Sequence, residues 1–392
     1  MASRGPRGPL GGRVGALAAG LFVYGFGQEL WFRFLPAFLR SLGASPLLVG
    51  AFGTLKDFLD AAYAWPGGVL TDRLGSRRAL LLFAGVTLCG FVAYLAAPTV
   101  PVLFAGLLLV MAWPALGLPA TFALVGEELS RERRIAGFTL QAVLKRLPIL
   151  LAPPLGGLLI GRFGMRAGMR TGFALSVLLG AAMLAALRVA FRSPDNDASS
   201  RRRAAVVLPS SLRRLLAADV LIRLCEGLPD VFLVVWVLEE AGLSAARFGL
   251  LTSVMTATSI LSYAPAVALA ARTEKKSFIV LTYAFFTLFP LAVLLARSFP
   301  ALAAAFVVGG LREIGEPARK AYIVAAAPEE ARGRVVGLYY AIRGFSVAGA
   351  AALGGVLWSV RPSLTFLAAA LLGGLGTLGT AIFLPRAAPE ER

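Results

Sequence analysis

Long apolar runs, interrupted by proline, glycine and short basic stretches, are the dominant pattern along this chain. A helix needs about 20 mostly apolar residues to cross a bilayer. On that criterion the pattern predicts crossings near 14–38, 46–70, 78–97, 101–126, 135–161 and 171–191. A second set is predicted near 215–238, 245–270, 277–296, 300–327, 335–360 and 363–385. Pro46, Pro98, Pro101, Pro300, Pro328 and Pro362 mark the ends of runs, where a residue lacking a backbone N–H does least harm. The stretch 192–214 opens with Ser193-Pro194-Asp195-Asn196-Asp197 and Arg201-Arg202-Arg203, and reads as a cytoplasmic linker. The expected fold class is an all-α membrane protein of twelve transmembrane helices. Residues 1–191 form one six-helix bundle and 215–392 the other.

The two sets share text. Gly117-Leu118-Pro119-Ala120 reappears as Gly315-Glu316-Pro317-Ala318, and Leu155-Gly156-Gly157 as Leu353-Gly354-Gly355, both 198 residues later. Gly43-Ala44-Ser45 followed by Gly50 matches Gly242-Leu243-Ser244 followed by Gly249 at an offset of 199. An offset close to half of 392 residues points to duplicated, like-oriented halves. Membrane proteins built from repeats commonly bind a solute at the repeat interface, near the bilayer midplane.

Composition agrees. Hydrophobic residues make up 58% and charged residues 15%, and mean hydropathy is +0.78; soluble domains run at roughly 45–50% and about 25%. The net charge of +18 would suggest nucleic acid if it lay on one soluble face. Here the cations fall between apolar runs, which excludes that partner and points to lipid. With both termini inside, inner segments carry 23 Lys and Arg and outer loops seven, so the termini are expected on the cytoplasmic side of a bacterial inner membrane. Cys89 and Cys225 sit in apolar runs without metal-ligand spacing, histidine is absent, and no cofactor is expected.

The informative residues are charges inside the predicted crossings. They are the cations Arg33, Lys56, Lys145, Arg146, Arg223, Arg312, Arg319, Lys320 and Arg343, and the acids Glu29, Asp57, Asp60, Asp219, Glu226, Asp230, Glu313 and Glu316. Each would cost about 2.5–3.5 kcal/mol facing lipid at a helix centre. Most must therefore face protein or water. The third, sixth, ninth and twelfth crossings carry none in their middles and are fit to face lipid. Asp219, Arg223, Glu226 and Asp230 follow helical spacing along one face. Arg312, Glu316, Arg319 and Lys320 make a second stripe, with Glu313 pointing elsewhere, and Glu29–Arg33 and Lys56–Asp60 are spaced as i, i+4 pairs. Such pairs can merely neutralise one another and lock helices together; several charged helices together mark a functional site. Gly315-Glu316-Pro317 adds a helix break beside the second stripe. Trp113-Pro114 and Gly117-Leu118-Pro119 break the fourth crossing without charge.

Between the second and third crossings runs Gly68-Val69-Leu70-Thr71-Asp72-Arg73-Leu74-Gly75-Ser76-Arg77-Arg78. This resembles the signature of the major facilitator superfamily, a glycine followed by Asp-Arg-x-Gly and a basic pair. Gly68 permits close helix approach and Gly75 a sharp turn. The resemblance implies two six-helix bundles working by alternating access, with the first, fourth, seventh and tenth crossings lining the cavity. It makes Gly68, Asp72, Arg73, Gly75 and Arg77 a gate motif, with the eleventh crossing as its partner. The second half's equivalent, Ala271-Arg272-Thr273-Glu274-Lys275-Lys276, keeps basic residues and lacks the Asp and Gly, so the gate is expected to be asymmetric. Pro153-Pro154-Leu155-Gly156-Gly157 resembles the end of an antiporter motif whose earlier glycines are missing.

These observations lead to a proton-coupled secondary transporter, acting as a monomer on a small solute, with a weak preference for an anionic or zwitterionic one. No nucleotide-binding phosphate loop is present. Without histidine a carboxylate must carry the proton, and Glu226 and Glu29, each near an Arg, suit that task. The candidate binding residues are Glu29, Arg33, Asp60, Arg223, Glu226, Asp230, Arg312, Glu316 and Lys320. A multidrug exporter or a lipid-moving protein of the same architecture is the alternative. An enzyme has no nucleophile–base set or metal site to support it.

Overall fold

A computed structural model describes residues 13–117, 134–190, 208–270, 275–326 and 332–384, all helical or in short connections, with no strand among them. The helices are α1 (Arg13–Glu29), α2 (Leu35–Ser41), α3 (Pro46–Leu74), α4 (Ser76–Ala96), α5 (Val100–Val110) and α6 (Arg134–Ala190). They continue as α7 (Ser210–Asp230), α8 (Ala245–Ala270), α9 (Lys275–Leu295), α10 (Phe299–Leu311), α11 (Glu316–Ala325), α12 (Arg332–Val347), α13 (Ala350–Val360) and α14 (Pro362–Phe383). Five described segments are long and apolar enough to cross a membrane: Ser76–Ala96, Arg146–Ala190, Lys276–Leu295, Val335–Val360 and Pro362–Phe383. Contacts group Met1–Phe38 with Leu59–Arg202 as one unit, and Leu39–Phe58 with Arg203–Arg392 as another. The segment 39–58, read from sequence as part of the first bundle, makes its contacts with the second unit.

Several predicted crossings are interrupted rather than continuous. The first stops at Glu29 and resumes through a 3-10 turn, Phe32–Phe34, into α2. The seventh stops at Asp230 and continues through Leu233–Val235 and a π-helical turn, Trp236–Glu240. The tenth is divided between α10 and α11, and the eleventh between α12 and α13. Conversely, the fifth and sixth run together in α6, with one non-helical residue, Gly164 at φ 78°. Eight helical residues span about 12 Å, yet a Cβ on Gly168 would lie 2.5 Å from the Ile160 Cα. The chain therefore doubles back at Gly164, where only glycine takes that φ at no cost.

The duplicated text now has a physical meaning. Gly43 and Gly242 hold positive φ, 88° and 64°, and turn the chain into the next helix. Two residues on, Ser45 Oγ accepts from Leu48 N at 3.3 Å and Ser244 Oγ from Arg247 N at 3.4 Å, capping α3 and α8. The second repeat makes one contact twice. A Cβ on Gly156 would run into the carbonyl oxygen of Leu30, and a Cβ on Gly354 into that of Leu228. Leu30 and Leu228 are themselves 198 residues apart, as are the two glycines. In each unit a glycine thus lets one helix press onto the backbone where another breaks. The first repeat cannot be compared, because Leu118–Ala120 lie outside the described residues.

Aromatic rings fill the space around these breaks. In the first unit Trp31 is fully buried, edge-on to Phe91, Tyr94 and Phe173, and its indole N–H donates to Ser176 Oγ at 2.8 Å. In the second unit Phe232 stacks on Trp358 at 4.8 Å, and Trp236 meets Phe366 at 4.9 Å. Polar side chains replace lost helix bonds: beside Pro114, Thr87 accepts from Trp113 N at 2.8 Å and donates to Leu109 O at 3.3 Å.

The glycine contacts predict a sharp contrast in stability. Gly354→Ala forces a Cβ into the Leu228 carbonyl and should cost about 1–3 kcal/mol as overpacking. Gly379→Ala, where a Cβ meets nothing within 4 Å, should be neutral or stabilising by up to about 1 kcal/mol. Thermal unfolding of the detergent-purified variants measures both.

Candidate functional site

The densest polar chemistry among the described residues lies in the second unit, on α7, α9, the α10–α11 break and α12. Successive turns of α7 carry Asp219, Arg223 and Glu226 on one face, as the i, i+4, i+7 spacing predicts. Asp219 has no exposed surface. Arg319 Nη1 of α11 bonds its Oδ2 at 2.5 Å, Tyr339 OH of α12 donates to Oδ2 at 2.9 Å, and Tyr283 OH of α9 donates to Oδ1 at 3.2 Å. Arg343 Nη1 lies 3.4 Å away and Arg223 Nε 4.0 Å. Three cations and two phenols thus surround one carboxylate, the arrangement a buried charge requires.

The other acids extend the network. Glu316 grips Arg319 through both oxygens, at 2.8 and 2.7 Å, and lies 3.7 Å from Arg223 and 3.6 Å from Lys320. Glu226 takes Arg223 Nη1 at 2.6 Å and lies 3.7 Å from Arg312 Nη1. Among the described residues, five basic and three acidic side chains are joined in this way. Phe286 forms an apolar wall, with the Arg223 and Arg312 guanidinium carbons 5.3 and 5.0 Å from its ring centre; Phe289 is 4.6 Å from Arg312.

The break between α10 and α11 gives Arg312 its place. Residues 312–315 form tight turns, with Glu313 N to Gly310 O at 3.3 Å and Glu316 N to Glu313 O at 3.2 Å. Arg312 Nε folds back onto Gly309 O at 2.8 Å, and Ser259 Oγ bonds Gly310 O at 3.1 Å. Carbonyls released by the break therefore find polar partners within the protein. Gly315 is needed for space, since a Cβ there would collide with Thr282 Oγ1 of α9. Glu313 turns away, as its position off the stripe predicts, and accepts from Tyr263 OH at 3.4 Å.

Of the residues singled out from sequence, Arg223, Glu226, Arg312, Glu316 and Lys320 come together here, with Lys320 on the exposed rim. Asp230, at the end of α7, pairs with Lys56 at 2.9 Å, and Lys56 also holds Asp57 at 3.3 Å rather than the exposed Asp60. Arg40 and Glu239, 199 positions apart, face each other with two contacts of 3.4 Å. In the first unit Glu29 and Arg33 pair at 2.9 Å across the end of α1. In the gate motif Gly75 turns at φ 79°, Asp72 and Arg73 are exposed, and Arg77 is buried. Close helix approach falls at Gly67, where a Cβ would lie 2.5 Å from Leu116 O; among the described residues the space around Gly68 is open. Of the second half's equivalent, 271–274 lie outside the described residues, as does the side chain of Lys145.

Asp219, Arg319 and Arg343 are intramembrane charges of the sequence that are not among the candidate binding residues. Helical spacing marks Asp219 and Arg319, which lie on the two stripes; Arg343 lies on neither. Tyr283, Tyr339, Phe286 and Phe289 gave no signal, since single aromatics in apolar runs look alike until helices are packed.

The family model of the Major Facilitator Superfamily matches residues 17–224 and 215–392. No curated protein matches the sequence. Among solved structures, a POT family transporter in complex with 5-aminolevulinic acid is similar at 14% identity, TM-score 0.76, covering 95% of each chain. A nucleoside transporter is similar at 12% identity and TM-score 0.79, over 94% of this chain and 99% of that one. A bacterial homologue of the iron transporter ferroportin is similar at 14% identity and TM-score 0.76, over 95% and 98%. At such identities the likeness is one of fold.

Asp219 should prove the structural anchor of the network. Asp219→Asn removes the charge that Arg319, Arg343 and Arg223 surround, and should destabilise by about 3–5 kcal/mol, as for a broken buried pair. The exposed Asp60→Asn should stay within about 0.5 kcal/mol. Unfolding midpoints of the two variants, compared in one detergent, check the difference.

Proposed function

Because this chain belongs to the major facilitator superfamily, and so is a membrane transporter rather than an enzyme, we propose that it is a proton-coupled secondary carrier of a small polar organic solute. It works by alternating access through twelve membrane-spanning helices in two bundles, as a monomer in a bacterial inner membrane with both termini cytoplasmic. The observation that carries this reading is the network on α7, the α10–α11 break and α12. Charges costing about 2.5–3.5 kcal/mol each in lipid are gathered on one set of helices, and four of its members, Arg223, Glu226, Arg343 and Glu316, keep 20–29% of their side chains exposed. A network serving packing alone would be shut, as Asp219 and Arg319 are at 1% and 2%. The open members are the solute and proton groups. Glu226 exchanges the proton, since it is an accessible carboxylate held directly by one arginine. Asp219 is excluded from that part by its enclosure. Glu29 and Arg33 are the first unit's counterparts, and Asp72, Arg73 and Arg77 with Gly75 are the gate.

The test begins with a thermal-shift screen of metabolites and drugs at two pH values, because stabilisation scales with occupancy. Ligands found there are offered to proteoliposomes while the internal pH is recorded. Ligand-driven proton entry is expected with the native protein and should be lost in Glu226→Gln. Entry without proton movement would remove the coupling, and unchanged flux in both Glu226→Gln and Arg312→Ala would remove these residues from the site. Broad export of unrelated amphiphiles would favour a multidrug pump instead.

A further inference from the structure

Three arginines of the second unit stand where apolar segments end. The spans Lys276–Leu295 and Val335–Val360 finish at Leu295 and Val360, and the next begins at Pro362. Arg297 lies two residues past the first end, and Arg361 is the one residue between the other two spans. Leu295 and Val360 are 78% and 75% exposed, and Arg297 and Arg361 are exposed beside them. Arg247, in the first turn of α8, is exposed as well, with the exposed Leu250 three residues on. In the orientation proposed above this is the outer end of the protein. Outer loops are as a rule poor in positive charge, so three arginines together there are an exception with a cause to find.

Two of the guanidinium faces lie against rings. Arg297 is 5.7 Å from the ring centre of Trp236, and Arg247 is 5.8 Å from that of Phe299. Phe299 stands two residues beyond Arg297, and Trp236 meets Phe366 of α14, the helix whose N-cap residue is Arg361. The three arginines therefore border one aromatic surface. None of them forms an ion pair among the described residues. Of the acids at this end, Glu239 is held by Arg40 and Glu240 is exposed. Three uncommitted arginines thus stand against one uncommitted acid among the described residues.

A buried donor points to the same place. Trp236 is 3% exposed, and its indole N–H has no acceptor among the described residues. A buried indole N–H ordinarily has one, as Trp31 has in Ser176. Around Trp236 the neighbours are Trp358 and Phe366, whose rings offer no oxygen, and Arg297, which is itself a donor. An anion held by Arg297 would bring the missing acceptor to this ring.

We propose that this surface binds the phosphodiester of an anionic glycerophospholipid, with Arg297 and Arg361 on the phosphate oxygens, the Trp236 N–H as a further donor, and the acyl chains along Leu295 and Val360. A guanidinium lying on a ring keeps its in-plane donors for a phosphate. Exposed aliphatic side chains directly beside the cations select a lipid over a free phosphate, because only the lipid has apolar chains to lay against them. Arg247 adds positive charge at the rim, which favours a headgroup of net negative charge. Binding is non-covalent and moves no proton. The proposal rests on these segments spanning a bilayer, as the carrier reading has them, and is independent of the solute and of its coupling.

Native mass spectrometry and thermal shift on the detergent-purified full chain test this. The probes are dioleoyl phosphatidylglycerol, dioleoyl phosphatidylcholine, dioleoylglycerol and inorganic phosphate, each titrated alone. Phosphatidylglycerol should be retained and should raise the unfolding midpoint. Phosphatidylcholine, whose choline offsets the phosphate charge, should bind about tenfold more weakly, and the other two should leave the midpoint unchanged. Arg297→Gln combined with Arg361→Gln should weaken phosphatidylglycerol binding about tenfold or more. Trp236→Phe keeps a ring and removes the N–H. Without lipid it should match the native midpoint or exceed it, since no bond is lost. With phosphatidylglycerol it should bind about tenfold more weakly, the worth of one hydrogen bond to a charged group. Arg170→Gln, at an exposed arginine of the first unit, should bind as the native protein does. Equal binding of phosphatidylcholine or dioleoylglycerol overturns the proposal, and stabilisation by inorganic phosphate makes this a soluble-anion site instead. Unchanged binding in Trp236→Phe or in the double arginine variant also overturns it, as does an equal loss in Arg170→Gln, which would show diffuse charge rather than a site. The carrier reading fails separately. Protein that keeps the lipid and moves no solute in proteoliposomes ends that reading and leaves this site standing, whereas solute uptake by a protein that binds no lipid does the reverse.

Discussion

A carboxylate without exposed surface must be neutralised where it stands, and in the second unit that demand organises four helices. Asp219 on α7 is met by Tyr283 from α9, Arg319 from α11, and Tyr339 and Arg343 from α12. These partners come from three other helices, so the geometry exists only when the helices are assembled. Arg319 in turn fixes Glu316, and Arg223 connects Asp219 to Glu226. The accessible charges thus hang from an inaccessible one. Replacement of such a buried set by apolar residues is often neutral for stability, so stability alone does not account for a network that leaves Arg223, Glu226, Glu316 and Arg343 partly open.

Positioning those charges takes interrupted backbone. A continuous tenth crossing would leave no room to fold Arg312 back onto Gly309 O, nor to bring Glu316 within reach of Arg223. The break is tolerable because its released carbonyls are satisfied by Arg312 and Ser259. Gly315, which can take no side chain against Thr282, lets the break lie close to α9. At the break of the seventh crossing Gly354 of the eleventh plays the like part, pressing α13 onto the carbonyl of Leu228 where α7 nears its end.

How much of this could be read from sequence depends on the range of the interaction. Elements governed by local rules were legible: apolar runs became helices, Gly43 and Gly242 became turns, and Ser45 and Ser244 became caps. The stripe on α7 was legible because helical spacing is a local property. What helix spacing cannot supply is the partner. Lys56 sits an i, i+4 step from Asp60, yet bonds Asp230, 174 positions away. Arg319 and Asp219, on separate stripes, prove to be one pair. Breaks were half-legible: Pro317 and Gly315 announced the one in the tenth crossing and Pro229 stands beside the one in the seventh, whereas Trp31 carries no warning that the chain leaves the helix beside it. The single reversal at Gly164 was hidden by Arg162, Arg166 and Arg170, which look like a longer loop.

The two halves kept different things from their common pattern. Positions 198 or 199 apart that remain glycine or serine are those where backbone sits: Gly43 with Gly242, Ser45 with Ser244, Gly156 with Gly354. Side chains that fill the breaks have diverged. The first unit surrounds its break with Trp31, Phe91, Tyr94 and Phe173, tied by one hydrogen bond to Ser176, and has a single described ion pair there, Glu29 with Arg33. The second unit has rings on one side of its break and eight linked charges on α7 and its neighbours. A glycine against a carbonyl has no substitute, because every other side chain adds a Cβ at the same spot. An aromatic cluster or an ion-pair network has many. Duplication therefore preserves the backbone contacts that fix where helices break, and leaves the chemistry at each break free to follow whatever solute the protein carries.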